Sequence, residues 1–115
     1  MKNKNKSENR HETVRAAALR QIAAIQPFIE GSLCSFKRSG CADPGWHLTF
    51  KQRGRTKTVY VPMDMVKEVK AWTREYRKLR RLIRTVTTHS MGIIRRHVAN
   101  RLAVRQAQQL RTKTH

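Results

Sequence analysis

The sequence predicts an α+β domain: a small antiparallel sheet of two or three strands packed on a long amphipathic helix, with flanking N- and C-terminal helices. Three observations predict it. The stretch HLTFKQRGRTKTVYVP, residues 47–62, alternates apolar and polar side chains on either side of a glycine-containing turn, as a hairpin buried on one face requires. Residues 63–87 carry Val69, Trp72, Tyr76, Leu79, Ile83 and Val86 at spacings of three and four, the period of a helix with one apolar side. A chain of 115 residues with 38% hydrophobic content suffices for one modest core.

Residues 1–12 are polar, basic and poor in apolar side chains, so they are expected to be a disordered basic tail. From Thr13 the run TVRAAALRQIAAIQ is rich in helix formers and sets Val14, Ala18, Ile22 and Ile25 on one face. This helix is expected to end near Pro27, because the residue before a proline is pushed from helical angles. Gly31, Gly40 and Asp43-Pro44-Gly45 are turn chemistry around a short strand, Ser32–Phe36. If Arg53-Gly54 is a two-residue loop, Trp46 faces Val61, Leu48 faces Val59 and Phe50 faces Lys57. The other face then pairs His47 with Tyr60, Thr49 with Thr58 and Lys51 with Thr56. A slip of one residue would destroy this sorting, although a longer, bulged loop at Gly54 is the alternative.

Pro62 closes the last strand, and Asp64 stands where its charge complements the exposed amides of a helix start. Val66 and Leu82 lie beside the apolar stripe of the long helix. Lys67, Lys70, Arg74, Arg77, Arg81 and Arg84 repeat at the same spacing, offset by about 100° round the helix. The segment TTHSMG, residues 87–92, consists of poor helix formers and is expected to break the helix. A last helix then carries Ile94, Val98 and Leu102 on one face. The expected organisation is thus a tail at 1–12, a core domain at 13–87 and a basic C-terminal helix or arm at 88–115.

Charge decides the expected partner. Twenty-six Lys and Arg against seven Asp and Glu give +19, which disfavours compaction unless a polyanion relieves the repulsion. Beyond Glu75 there is no acidic side chain at all, so that part of the chain cannot neutralise itself. No apolar run approaches the roughly 18 residues of a membrane span, and the N-terminus lacks the apolar core of a secretory signal. The expectation is a soluble cytoplasmic protein, nucleoid-associated if it binds DNA, with no membrane partner.

The sharpest candidate site is the hairpin. Lys51, Arg53, Arg55 and Lys57 cluster at its tip, while His47, Thr49, Thr58 and Tyr60 form a face able to donate and accept hydrogen bonds. A two-stranded ribbon fits the major groove, and such side chains suit phosphates and base edges. The plainer alternative is a solvated sheet face whose charges prevent edge association. Arg74, Arg77, Arg81 and Arg84, continued by Arg95 and Arg96, form a second candidate, since arginine suits planar phosphate recognition. Solvation of a core helix is the alternative there. Trp72 and Tyr76 are read as core aromatics. The stripe at residues 69–86 has heptad-like spacing and offers a surface for homo-oligomerisation, which makes an oligomeric scaffold subunit of a nucleoprotein assembly the rival function.

Cys34, Cys41 and His47 supply three nearby metal donors at most, without a paired cysteine motif, so neither metal nor cofactor is expected. No nucleophile, base and orienting group stand in a recognisable pattern, and no phosphate-binding glycine loop occurs; the chain is expected to be no enzyme. DNA is expected over RNA, because a ribbon reads the deep, narrow major groove of A-form duplex poorly.

The segment GSL at 31–33, the cysteine-containing turn, WHLTFKQRGRTKTVYVP at 46–62 and the helix starting MDMVKEVKAWTREYRKLRRL resemble a family of small uncharacterised bacterial and archaeal proteins. Members are often encoded near mobile-element genes, and the resemblance spans roughly residues 20–90. Family members commonly carry more cysteines before the hairpin, whereas here only Cys41 and Cys34 stand in that region. More loosely, the pattern is similar to the arm-binding domain of tyrosine recombinases, a three-stranded sheet packed on a helix that reads DNA with the sheet. That resemblance implies a groove-facing role for His47, Thr49, Lys51, Thr58 and Tyr60, with Arg53 and Arg55 at the tip, and an accessory role near a mobile element.

Overall fold

The computed structural model describes residues 6–113. It contains α1 (Lys6–Ala23), β1 (Ser32–Phe36), β2 (Gly45–Gln52), β3 (Arg55–Tyr60), a 3-10 turn (Met63–Met65) and α2 (Val66–Lys113). The fold is α+β, with a three-stranded antiparallel sheet in the order β1-β2-β3. It divides into two compact units: Ala24–Arg81, and α1 together with α2 from Leu82 onward. Helix one therefore belongs with the C-terminal half of α2, where the sequence placed it with the sheet.

Within Ala24–Arg81, the hairpin takes the register that alternation predicts: His47 opposite Tyr60, Leu48 opposite Val59, Thr49 opposite Thr58, Phe50 opposite Lys57 and Lys51 opposite Thr56. The Val61 amide donates to the Trp46 carbonyl at 2.9 Å, which continues that pairing past the strand end. β1 completes the sheet on the other side of β2, with Leu33 opposite Leu48 and Cys34 opposite His47. Leu48, Val61, Val66 and Val69 form the buried core, and Ile29, Leu33, Trp46, Phe50 and Trp72 pack against it. The start of α2 thus covers one face of the sheet. Val59 is on that face but 49% exposed, because β3 is an edge strand and the covering residues reach β2 and Val61 instead.

The segment entering β1 is tied to α2 by polar contacts. Ile29 donates its amide to the Trp72 carbonyl at 3.2 Å, and Gln26 donates its amide to the Glu75 carboxylate at 2.8 Å. The Phe28 and Tyr76 rings lie 5.8 Å apart. Trp72 and Tyr76 therefore serve packing. Val69, at the N-terminal end of the 69–86 stripe, is buried in this core, whereas Ile83 farther along the stripe is 50% exposed.

In the other unit, two expectations are corrected. α1 starts at Lys6, ahead of the expected Thr13, and ends at Ala23, before Pro27. Residues 6–12 contain no glycine or proline, and His11 has a tertiary partner that rewards helical structure there: its Nδ1 lies 2.8 Å from Nδ1 of His89. Arg15 likewise donates to the Ser90 hydroxyl at 3.2 Å. The second correction is that α2 runs unbroken through TTHSMG to Lys113. One glycine and two threonines cost a helix about 1–2 kcal/mol in propensity, whereas His89 and Ser90 gain partners only when helical.

Gly92 has a specific use there. A Cβ at this position would lie 2.5–2.9 Å from the His11 ring, so the missing side chain permits the close approach of α1. Gly92→Ala is accordingly expected to gain the usual helix stabilisation of about 1 kcal/mol only when His11 is also replaced by alanine. With His11 in place the gain should vanish or reverse. Urea unfolding of the wild type, both single variants and the double variant measures the coupling, and additive effects would refute the contact.

Candidate nucleic-acid interface

Directly opposed residues of an antiparallel pair project to the same side, so the register assigns every side chain of the uncovered face. That face carries Ser32, Cys34 and Phe36 from β1, His47, Thr49 and Lys51 from β2, and Thr56, Thr58 and Tyr60 from β3. His47 and Thr49 on the central strand are half-buried, while Thr58 and Tyr60 on the edge are exposed, Tyr60 to 58%. The Thr49 hydroxyl donates to the Ser32 carbonyl at 3.4 Å. The Phe36 ring covers the cross-strand Gly45, filling the space its Cβ would take, and lies 5.4 Å from the His47 ring. This aromatic contact braces His47 from the β1 side.

At the tip, Arg53 and Gly54 both have positive φ, 51° and 79°, between the paired residues Gln52 and Arg55. This is the two-residue loop whose backbone twist matches that of the strands, and it excludes the bulged alternative. Asn, Asp or Gly ordinarily fills the first position, since a Cβ is strained there. An arginine stands in it here. Gln52, Arg53, Arg55 and Lys57 line one concavity of about 620 Å³. The register places Lys51 on the open face and Arg55 and Lys57 on the other, so the cations straddle the end of the ribbon.

The expected arginine row is not brought together with this face. Arg74 and Arg77 instead join Lys70, Thr73 and Leu33 around a groove of about 230 Å³. Leu33 points to the covered side of the sheet, so this groove and the open face lie on opposite sides. The Lys70 ammonium sits 5.0 Å from the centre of the Trp46 ring, a cation–π contact. Arg81 ends the same unit, whereas Arg84 and Arg95, both exposed, and Arg96, half-buried, lie in the other.

Sequence reasoning missed Ser32, Cys34 and Phe36, because no pattern in so short a strand gives its register against β2. It also missed Lys37 and Arg38, which follow β1 and stand at the opposite end of the face from the tip. Arg38 donates to the Pro44 carbonyl at 3.5 Å. The signal was a pair of cations directly after an aromatic strand end. Cys34 and Cys41 are both free and exposed. Among the described residues, no group of three or more His, Cys, Asp or Glu side chains could hold a metal ion.

Fold and surface together define an α+β protein whose three-stranded sheet is covered by a helix on one side and presents a polar, cation-flanked face on the other. No family model, curated protein or solved structure matches the chain. Among the described residues no helix is long and apolar enough to cross a membrane.

Proposed function

We propose that the protein is a non-enzymatic DNA-binding protein that lays the open face of its sheet in the major groove of duplex DNA. Thr49, Thr58, His47 and Tyr60 face the base edges in this reading. Lys51, Arg53, Arg55 and Lys57 at one end and Lys37 with Arg38 at the other take phosphates of the flanking backbone. The Lys70, Arg74 and Arg77 groove, on the other side, is a secondary phosphate contact. The observation that carries the proposal is the hairpin tip. An arginine occupies a positive-φ position that asparagine or glycine would fill with less strain, which is understandable where the side chain has a ligand.

Arg53→Asn separates the two roles of this residue. It should raise stability by about 0.5–1 kcal/mol by relieving the backbone, and it should weaken duplex binding about tenfold, the loss of a charge-assisted phosphate contact. The measurement is fluorescence anisotropy of the full chain with random duplex DNA, single-stranded DNA and duplex RNA at physiological salt, beside thermal unfolding. Duplex DNA preferred over the other two, with Arg53→Asn melting higher and binding more weakly, is the expected result. Equal, weak binding to all three, or an Arg53→Asn protein that binds as well as the wild type, would overturn the proposal.

A further inference from the structure

The proposed DNA contact leaves one surface of the chain without a use. Met91, Ile94, Val98 and Leu102 lie on a single face of α2 and are each at least 44% exposed. They stand half a helical turn round from Leu82, His89 and Ile93, which are buried or half-buried in the unit that contains α1. Helix α1 therefore takes the opposite side of α2. Every residue from 98 to 112 is exposed. An apolar stripe three turns long, about 17 Å, is not needed to solubilise a helix and does nothing for a phosphate.

Charge selects what covers it. Arg84, Arg95, Arg101 and Arg105 border or interrupt the stripe, and α2 holds no acidic residue beyond Glu75. Val98, Arg101, Leu102 and Arg105 line one open concavity along the helix. A second copy of this chain would set two such cationic helices side by side, with no acid on either to offset the repulsion. DNA would satisfy the arginines and leave the apolar residues wet. The spacing of three and four asks for another helix, and the arginines ask for carboxylates at its flanks.

We propose that residues 91–105 are a docking site for an acidic amphipathic helix of a partner protein. The partner helix lays an apolar stripe on Met91, Ile94, Val98 and Leu102 and pairs its flanking glutamates or aspartates with Arg95, Arg101 and Arg105. The chain then carries two separate binding surfaces, one for a polyanionic duplex and one for a protein.

The test uses the full-length chain and a designed 28-residue peptide with leucine at the core heptad positions and glutamate at the flanking ones. A scrambled peptide of the same composition serves as control. Binding is followed by anisotropy, helix formation by circular dichroism and oligomeric state by sedimentation. The designed peptide is expected to bind at least tenfold more tightly than the scrambled one and to gain helix on binding. Ile94→Ala/Val98→Ala, which favours the helix and so does not unfold it, should remove at least tenfold of that affinity. Arg53→Ala/Arg55→Ala should leave it unchanged, which separates this site from the DNA surface. Equal binding of both peptides, or an Ile94→Ala/Val98→Ala protein that binds normally, would overturn the proposal. So would a homodimer that the same double substitution dissociates, since a second copy would then be the occupant.

Discussion

Raising salt from about 50 to about 200 mM is expected to lower the affinity of the chain for duplex DNA about a thousandfold. The figure follows from the six cations at the two ends of the sheet, Lys37 and Arg38 at one end and Lys51, Arg53, Arg55 and Lys57 straddling the hairpin tip at the other. Each phosphate they neutralise releases condensed counterions, so six contacts give a slope of log affinity against log salt near −5. Arg53→Ala/Arg55→Ala should bring that slope to about −3.5, because only four contacts remain. Anisotropy titrations at four or five salt concentrations measure both slopes. A wild-type slope shallower than about −2, or a variant slope equal to the wild type, would place the DNA elsewhere than on the open sheet face.

Leu48→Ala is the substitution expected to do most harm to the fold. Leu48 is 2% exposed at the centre of the sheet, and it touches the core from the middle strand, between Leu33 on β1 and Val59 on β3. Removing three buried carbons there costs about 3 kcal/mol, the transfer term plus the cavity left behind. Gly31 closes one side of that site, with a virtual Cβ only 3.0 Å from the Leu48 side chain, so the backbone already stands as near as it can. For a unit as small as Ala24–Arg81, such a loss is a large part of the total stability, which runs at about 0.05–0.15 kcal/mol per residue. Val59→Ala, at the paired but half-exposed position, should cost less than about 1 kcal/mol. Urea unfolding followed by tryptophan fluorescence compares the two, since Trp46 and Trp72 both pack on this cluster. Equal losses would mean that the sheet is not covered as described.

The hairpin register was legible because it depends on neighbours close in sequence. Alternation in residues 46–61 and a Gly54 turn leave one pairing that sorts Trp46, Leu48 and Phe50 from His47, Thr49 and Lys51, and the sheet adopts it. Ser32–Phe36 was legible as a strand for the same reason, with turn residues on both sides. Its partner was not, since nothing local to five residues says which of their side chains faces a core assembled from residues far along the chain. The candidate site shared this limit. His47, Thr49, Thr58 and Tyr60 were placed on one face by period alone, whereas Phe36 and Cys34 joined them only once β1 had paired. The arginine row was legible only as a second cationic candidate, because helical spacing records which residues share a side of α2, but not which side meets the sheet.

By itself, the sequence determined the α+β class, the strands and their hairpin register, the apolar faces of both helices and the excess of positive charge. These rest on periodicity, turn geometry and composition, all of which act over a few residues. Tertiary structure alone decided that α1 reaches back to Lys6, that α2 passes through Thr87, Thr88 and Gly92 without a break, and that Arg74 and Arg77 open onto a different groove from the hairpin face. For the two helices the physical reason is the same. A helix end or a glycine shifts local free energy by about 1 kcal/mol, so the contact of His11 with His89 and Gly92, 78 residues apart in the chain in the first case, is enough to outweigh it.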